Sequence, residues 1–248
     1  MIHLKTLHEV NQIEYSSKMV AEILQLCYEY IKPGVATLEL EEIADKYCLD
    51  KNVRPSFKGY MGFPHSICVC INDEVVHGFP SKRIIQEGDI VSVDCGIERN
   101  GYYSDAAFTK IVGDVSYRIR KLVETTEKCL YKGISKATHY NRLHDISSAI
   151  EDSAAEQMFS VVKEYTGHGV GFAVHESPTV PNYVGKGINY ILKVGMVIAI
   201  EPMLMCGNSG IGVESNGWIV KTTDGKPAAH FEHSIVILED GPRILTKL

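Results

Sequence analysis

Gly88-Asp89-Ile90-Val91-Ser92-Val93-Asp94 and Gly195-Met196-Val197-Ile198-Ala199-Ile200-Glu201 share one pattern: glycine, any residue, two aliphatics, a small residue, an aliphatic, then a carboxylate. Upstream, His77-Gly78-Phe79-Pro80 and His175-Glu176-Ser177-Pro178 add a His-x-x-Pro to each copy. A repeat of about a hundred residues within a chain of 248 predicts one domain made of two related halves, about 1–113 and 114–248. Each half then delivers one histidine and one acid, which points to a site between them.

The surrounding pattern repeats as well. Apolar residues at Ile13, Met19, Val20, Ile23, Leu24 and Leu26 follow a helical spacing over 8–31 that stops at Lys32-Pro33-Gly34. Thr37 with Glu41 and Glu42 reads as the start of a second helix, with Leu38, Leu40, Ile43, Ala44 and Tyr47 on its apolar side. The second half predicts a helix over about 115–131, a break near Lys132-Gly133, and another helix over about 139–158. Segments 67–71, 90–97, 102–112, 196–203, 211–221 and 230–238 are rich in Val, Ile, Tyr and Phe and punctuated by Gly, Asn and Asp, as strands are. Two helices followed by hairpin-joined strands, twice over, argue for an α+β fold: a central antiparallel sheet backed by helices on one side.

Asn100-Gly101 supplies a register. In a tight two-residue turn, Arg99 opposes Tyr102, and Asp94 opposes Ala107. Asp105 then shares a face with Asp94 as its diagonal neighbour, with backbones roughly 7–8 Å apart. Two carboxylates facing one space are costly unless a cation joins them. Gly167-His168-Gly169-Val170-Gly171 adds an imidazole unscreened by neighbouring side chains, Glu201 closes the second repeated strand, and Glu232 opens the last apolar one. Four carboxylates and a single imidazole, with no thiolate, suit Mn, Fe, Co or Zn in a hydrolytic site better than a structural zinc. Four negative charges balance two divalent metal ions, which bridging carboxylates hold roughly 3.5–4 Å apart.

Bulk properties limit the alternatives. A formal net charge of -6 without basic runs gives no attraction to nucleic acid or to an anionic membrane. Glu9, Glu14, Lys18, Glu22 and Glu29 interrupt the first thirty residues, so neither a signal peptide nor a membrane span is predicted and the cytoplasm is the expected compartment. Seven cysteines without a Cys-x-x-Cys read as reduced thiols.

The ordered motifs His77-Gly78-Phe79-Pro80, Val93-Asp94-Cys95-Gly96, Ser104-Asp105-Ala106-Ala107, Gly167-His168-Gly169-Val170-Gly171, His175-Glu176-Ser177-Pro178, Ile200-Glu201-Pro202 and Phe231-Glu232-His233-Ser234 resemble those of the bacterial type I methionine aminopeptidases, over nearly the whole chain. The resemblance implies the pseudo-twofold pita-bread fold of the creatinase/aminopeptidase kind. It implies removal of the N-terminal methionine from newly made proteins and peptides, with a small second residue preferred. Asp105 and Glu232 would bridge two metals, Asp94 would chelate one, and His168 with Glu201 would bind the other. Glu201 would also shuttle a proton to the leaving amine, His175 would stabilise the oxyanion, and His77 would contact the scissile amide. Tyr60, Phe63, Cys68 and Trp218 match the family's methionine pocket. Phe57 stands where some relatives have a small cysteine, and Val174 where some have an aromatic ring. The partners implied are nascent polypeptides with N-terminal Met, a transient ribosome contact, and no nucleic acid or membrane, with the enzyme a monomer.

Taken singly, these residues have plainer readings. Asp94 could end any strand, Glu201 before Pro202 could sit in a turn, Trp218 could fill a core, and His77 or His175 could bond a backbone carbonyl. His3, His8, His65, His139, His144, His230 and His233 keep that ordinary reading, His233 because its adjacency to Glu232 turns it to the opposite strand face. Proline-specific exopeptidases and non-enzymatic pita-bread proteins share the fold. The former carry a sizeable additional N-terminal domain, whereas the first helix pair here begins almost at Met1. The latter have lost ligands that are all filled here. Thirty residues between Glu201 and Glu232 leave little room for the helical insert of the type II enzymes.

Overall fold

Ile90–Arg99 and Tyr102–Ile111 form the central hairpin of the computed structural model, which describes residues 1–207 and 210–247. Its register is the one that the Asn100-Gly101 turn predicts, with Arg99 opposite Tyr102, Gly96 opposite Asp105 and Asp94 opposite Ala107. Asn100 and Gly101 both take positive φ, 54° and 81°, as the favoured two-residue hairpin turn requires. Alternation along the strand then divides the side chains. Val91, Val93, Cys95 and Ile97 join the helical core, and Ser92 and Asp94 face the other way.

Four strands lie side by side at the centre in the order Ile90–Arg99, Tyr102–Ile111, Glu232–Leu238 and Val197–Ile200. The two repeated segments are therefore the outer pair, and the halves meet where Glu232 pairs with Ala107 and His233 with Ala106. Gly167–Gly169 and Glu176–Val180 extend the sheet beyond Val197–Ile200, Arg54–Pro55 and Ile67–Ile71 pair with Ile90–Arg99, and Gly241–Ile244 pairs with Glu232–Leu238. Every one of these pairings is antiparallel.

Helices α1 (Leu7–Tyr30) and α2 (Thr37–Lys51) cover the first half, and α3 (Tyr117–Lys136) and α4 (Leu143–Glu156) cover the second. Thr6 and Glu9 close a capping box at the start of α1, the Glu9 carboxylate accepting from Thr6 N at 2.7 Å. Val20, Ile23, Leu40 and Ala44 pack on the first hairpin, and Leu122, Leu130, Ile146 and Ile150 pack on Ile198 and Ile235. Each half thus has its own apolar core on the helical side, leaving the opposite side for polar groups.

Several expectations need correction. No break interrupts α3 at Lys132-Gly133, because Gly133 is a contact point: a Cβ there would stand 3.0 Å from Ile150 Cδ1 of α4. Helix α4 begins at Leu143, not 139, since Arg142 is held in a bridge to Ile191. Thr37 opens α2, but the cap is made by Glu39, whose carboxylate accepts from Ala36 N at 2.8 Å. Glu41 turns inward and accepts from Ser66 N at 2.8 Å. Segments 196–203 and 230–238 each split in two, at Glu201-Pro202 and at Phe231, and Met203–Met205 pairs with Ala228–His230 in a separate small sheet. Segment 211–221 is likewise a hairpin of Ile211–Val213 and Val220–Thr222. All seven cysteines are free. Among the described residues no helix is long and apolar enough to cross a membrane.

Candidate active site

The polar face of the central strands floors a cavity of about 280 Å³ lined by Tyr60, Phe63, Cys68, His77, Asp94, Asp105, His168, His175, Glu201, Trp218 and Glu232. These are the site residues read from the sequence, drawn from segments far apart in the chain. Phe57, Met61, Val76, Tyr165 and Thr166 complete the wall. Val174 instead lines a neighbouring cavity together with Ala173 and Tyr60.

Each donor is placed by a local cause. Asp94 and Asp105 come from the central hairpin, and Glu232 lies opposite Ala107, on the same face. Ser234 Oγ donates to Asp105 O at 2.8 Å and lies 3.2 Å from Asp105 Oδ1, which ties the hairpin to the last long strand. Glu201 projects where Val197–Ile200 ends at Pro202. His168 needs both its glycines: a Cβ at Gly167 would come within 2.4 Å of Ala199 O, and one at Gly169 within 2.4 Å of Ser177 O. Backbone approach that close admits only glycine, and it carries the imidazole over the carboxylates.

Asp105, His168 and Glu232 bring ligand atoms within 4.8 Å of one another. His168 Nε2 lies 3.4 Å from Asp105 Oδ2 and 3.5 Å from Glu201 Oε1. Its Nδ1–H donates to Gly169 O at 2.9 Å, the arrangement that leaves the Nε2 lone pair facing the acids. Asp94 belongs to the same cavity without joining that tight trio.

The electrostatics are those of a site built for cations. Burial pushes the Asp94 carboxyl up to about 8, and Asp105 and Glu201 add to the shift against an opposing pull from His230. Burial likewise raises Glu201 to about 8, with His168 opposing and Asp105 adding. Asp105 is raised by burial against the pull of His168, and Glu232 is raised by burial and then by the other three acids. Among the described residues no lysine or arginine pairs with any of the four; their only ion-pair neighbours are imidazoles. Asp94 Oδ1 and Glu232 Oε1 are sealed from solvent without a hydrogen-bond partner. Orphaned carboxylate oxygens beside a correctly tautomerised histidine fit divalent metal.

Above this floor the wall is aromatic. Phe63 packs edge-on against Phe79 and Trp218, with ring centroids 5.5 and 5.1 Å apart, and Cys68 is paired with Asp94 across the sheet. His77 takes a left-handed backbone, φ 60°, and its imidazole is driven down to about 4, first by burial and then by His230. His175 stands at the mouth, with Nδ1 3.0 Å from the Tyr60 hydroxyl, which leaves Nε2 for a ligand. Desolvation, then His168 and His77, hold its pKa below the ordinary imidazole value, so it is neutral near pH 7. The loop before it is fastened by Glu176, whose carboxylate accepts from Phe172 N and from Ala173 N and pairs with buried Lys5 Nζ at 2.6 Å.

The sequence alone gives His230 an ordinary packing role. The structure puts its Nε2 3.6 Å from Glu201 Oε2. No local pattern signals it, because the chain changes sheet at Phe231, between His230 and Glu232. His233 does turn away, toward Thr246 Oγ1 at 2.9 Å and Tyr131 of α3.

Fold and site together define a class, the pita-bread metallopeptidases. The model of Metallopeptidase family M24 matches residues 11–239, and the chain belongs to that family. The methionine aminopeptidase of Clostridium perfringens is 45% identical over 246 residues, covering 99% of each chain. The crystal structure of methionine aminopeptidase from Thermotoga maritima superposes with a TM-score of 0.97 at 41% identity over 100% of both chains. Full-length similarity of this degree groups the chain with the bacterial type I methionine aminopeptidases. The prolidase from Pyrococcus furiosus shares the fold, with a TM-score of 0.79 at 23% identity over 99% of this chain and 65% of its own.

Proposed function

We propose that this chain removes the N-terminal methionine from newly made proteins and peptides by metal-dependent hydrolysis, with preference for a small second residue. The observation that carries the proposal is the convergence of four carboxylates, Asp105 and Glu232 buried and Asp94 and Glu201 half-buried, and His168 on the floor of an aromatic-walled cavity. The residues that would hold divalent ions (Co, Mn, Fe or Zn) are Asp105 and Glu232, which would be shared between two ions, Asp94, which would chelate one, and His168 with Glu201, which would bind the other. When bound there, the ions supply Lewis acidity that activates water and polarises a carbonyl.

The chain's own groups do the remainder. Phe63, Cys68 and Trp218, with Tyr60, receive the flexible thioether side chain. His175, neutral and anchored through Nδ1 on Tyr60, donates from Nε2 to the oxyanion as negative charge develops. His77 contacts the scissile amide, and Glu201 carries a proton on its carboxyl to the leaving amine. The palindromic strand order supports a single catalytic domain of two related halves, about 1–113 and 114–248. The substrates are nascent polypeptides, met through transient contact at the ribosome by a cytoplasmic monomer that binds neither nucleic acid nor membrane.

Incubation of metal-loaded protein with peptides beginning Met-Ala, Met-Leu and Ala-Pro, followed by mass spectrometry, tests the reading. Cleavage confined to Met-Ala is the expected pattern. Release of alanine from Ala-Pro would instead assign the chain a proline-specific activity.

A further inference from the structure

Glu201 has two carboxylate oxygens, and each faces a different imidazole. Oε1 lies 3.5 Å from His168 Nε2, and Oε2 lies 3.6 Å from His230 Nε2. His168 is accounted for as a ligand. His230 is 2% exposed, and its Nε2 is sealed from solvent with no hydrogen-bond partner. A buried ring nitrogen without a partner is rare and costly, so its position calls for a cause.

His230 is also held firmly in place. Its N–H donates to Thr109 Oγ1 at 2.9 Å, and the same hydroxyl donates to His230 O at 2.8 Å. Thr109 Oγ1 in turn lies 2.8 Å from Ser92 Oγ, its cross-strand partner, and Ser92 stands two residues before Asp94 on the same face. The backbone of residue 230 is thereby pinned to the hairpin that carries Asp94 and Asp105. At 3.6 Å the imidazole stops short of a formed hydrogen bond, whose heavy atoms approach within about 3.2 Å. A small turn of the Glu201 carboxylate closes that gap.

We propose that His230 is a positioning residue for the metal centre: its Nε2–H holds Glu201 Oε2 and so keeps Oε1 turned toward His168 and the ion that those two residues share. The inference rests on the assignment of His168 and Glu201 as co-ligands. An outer hydrogen bond of this kind fixes the orientation of a ligating carboxylate, and its loss weakens metal affinity by roughly 10–100-fold.

Calorimetric titration of metal-free protein with Mn²⁺ tests this without reference to activity, using wild type, His230→Ala and His230→Gln. Wild type takes up two ions. His230→Ala binds one of the two at least 10-fold more weakly and leaves the other within a few fold. His230→Gln, which retains an N–H donor, recovers most of the lost affinity. Unchanged affinity at both sites in His230→Ala overturns the proposal, as does failure of glutamine to recover binding, which would make the imidazole itself a ligand. If the alanine variant does not fold, the glutamine variant decides: near wild-type affinity supports the donor role and loss of one ion overturns it. Wild type that takes up no ion overturns the metal assignment itself, and so is distinguished from failure of His230 alone.

Discussion

Replacing Asp94 by asparagine makes the metal-free protein more stable, not less. The Asp94 carboxyl is raised from its ordinary 3.8 to about 8 by burial, with Oδ1 lacking any hydrogen-bond partner. Across that window the folded chain binds a proton that the unfolded chain has released, so by linkage the contribution is harmless below pH 4 and becomes a growing penalty as pH rises toward 8. At about 1.4 kcal/mol per pH unit, the penalty at pH 7 is on the order of 4 kcal/mol. For a chain of this size that corresponds to roughly 10 °C in Tm. A carboxamide in the same place carries no charge at any pH and removes the penalty. Thermal melts of chelator-stripped wild type and Asp94→Asn at pH 4, 6 and 8 measure the difference. The expected result is near coincidence at pH 4 and a widening advantage for the variant at pH 6 and 8. Saturating Mn²⁺ reverses the order, since only wild type keeps the full ligand set. A metal-free variant that melts at or below wild type at pH 8 would refute the argument that these acids oppose folding until a cation joins them.

Three further outcomes follow from other parts of the structure. His175→Ala retains both ions by elemental analysis while kcat falls by about 10²–10³-fold, the usual consequence of losing one oxyanion donor; loss of metal in that variant contradicts the role. Lys5→Met strands the buried Glu176 carboxylate and lowers stability by about 3–5 kcal/mol in urea unfolding, whereas loss of a mere surface pair costs under about 1 kcal/mol. Gly133→Leu forces a side chain against Ile150 and costs about 1–3 kcal/mol, while Lys132→Leu on the exposed side of α3 leaves the unfolding midpoint nearly unchanged.

The central hairpin was legible because one turn controls it: Asn100-Gly101 sets the pairing, and pairing with period two places Asp94 and Asp105 on one face. The repeat exposed the second half in the same way, since Val197–Ile200 occupies the position across the sheet that Ile90–Arg99 occupies in the first. Tertiary contacts account for what was not legible. Gly133 reads as a helix breaker in isolation, yet α4 packs so closely on it that even a Cβ would crowd the Ile150 side chain. The strands that end at Ile200 and resume at Met203, and that stop at His230 and resume at Glu232, look continuous in hydropathy because both sides of each interruption are buried. Those interruptions change sheet beside Glu201 and Glu232, two of the four acids that line the cavity. Lys5 and His230 carry no local motif, and only the folded chain shows that one fastens the loop before His175 and the other backs Glu201.

The account stands on five side chains meeting around paired cations. A crystal grown with Mn²⁺, with diffraction recorded at the manganese edge, reads that out directly. Two anomalous peaks roughly 3.5–4 Å apart, contacted by Asp94, Asp105, His168, Glu201 and Glu232, are the predicted result. A cavity without anomalous density at full Mn²⁺ loading, or peaks held by other residues, would contradict it.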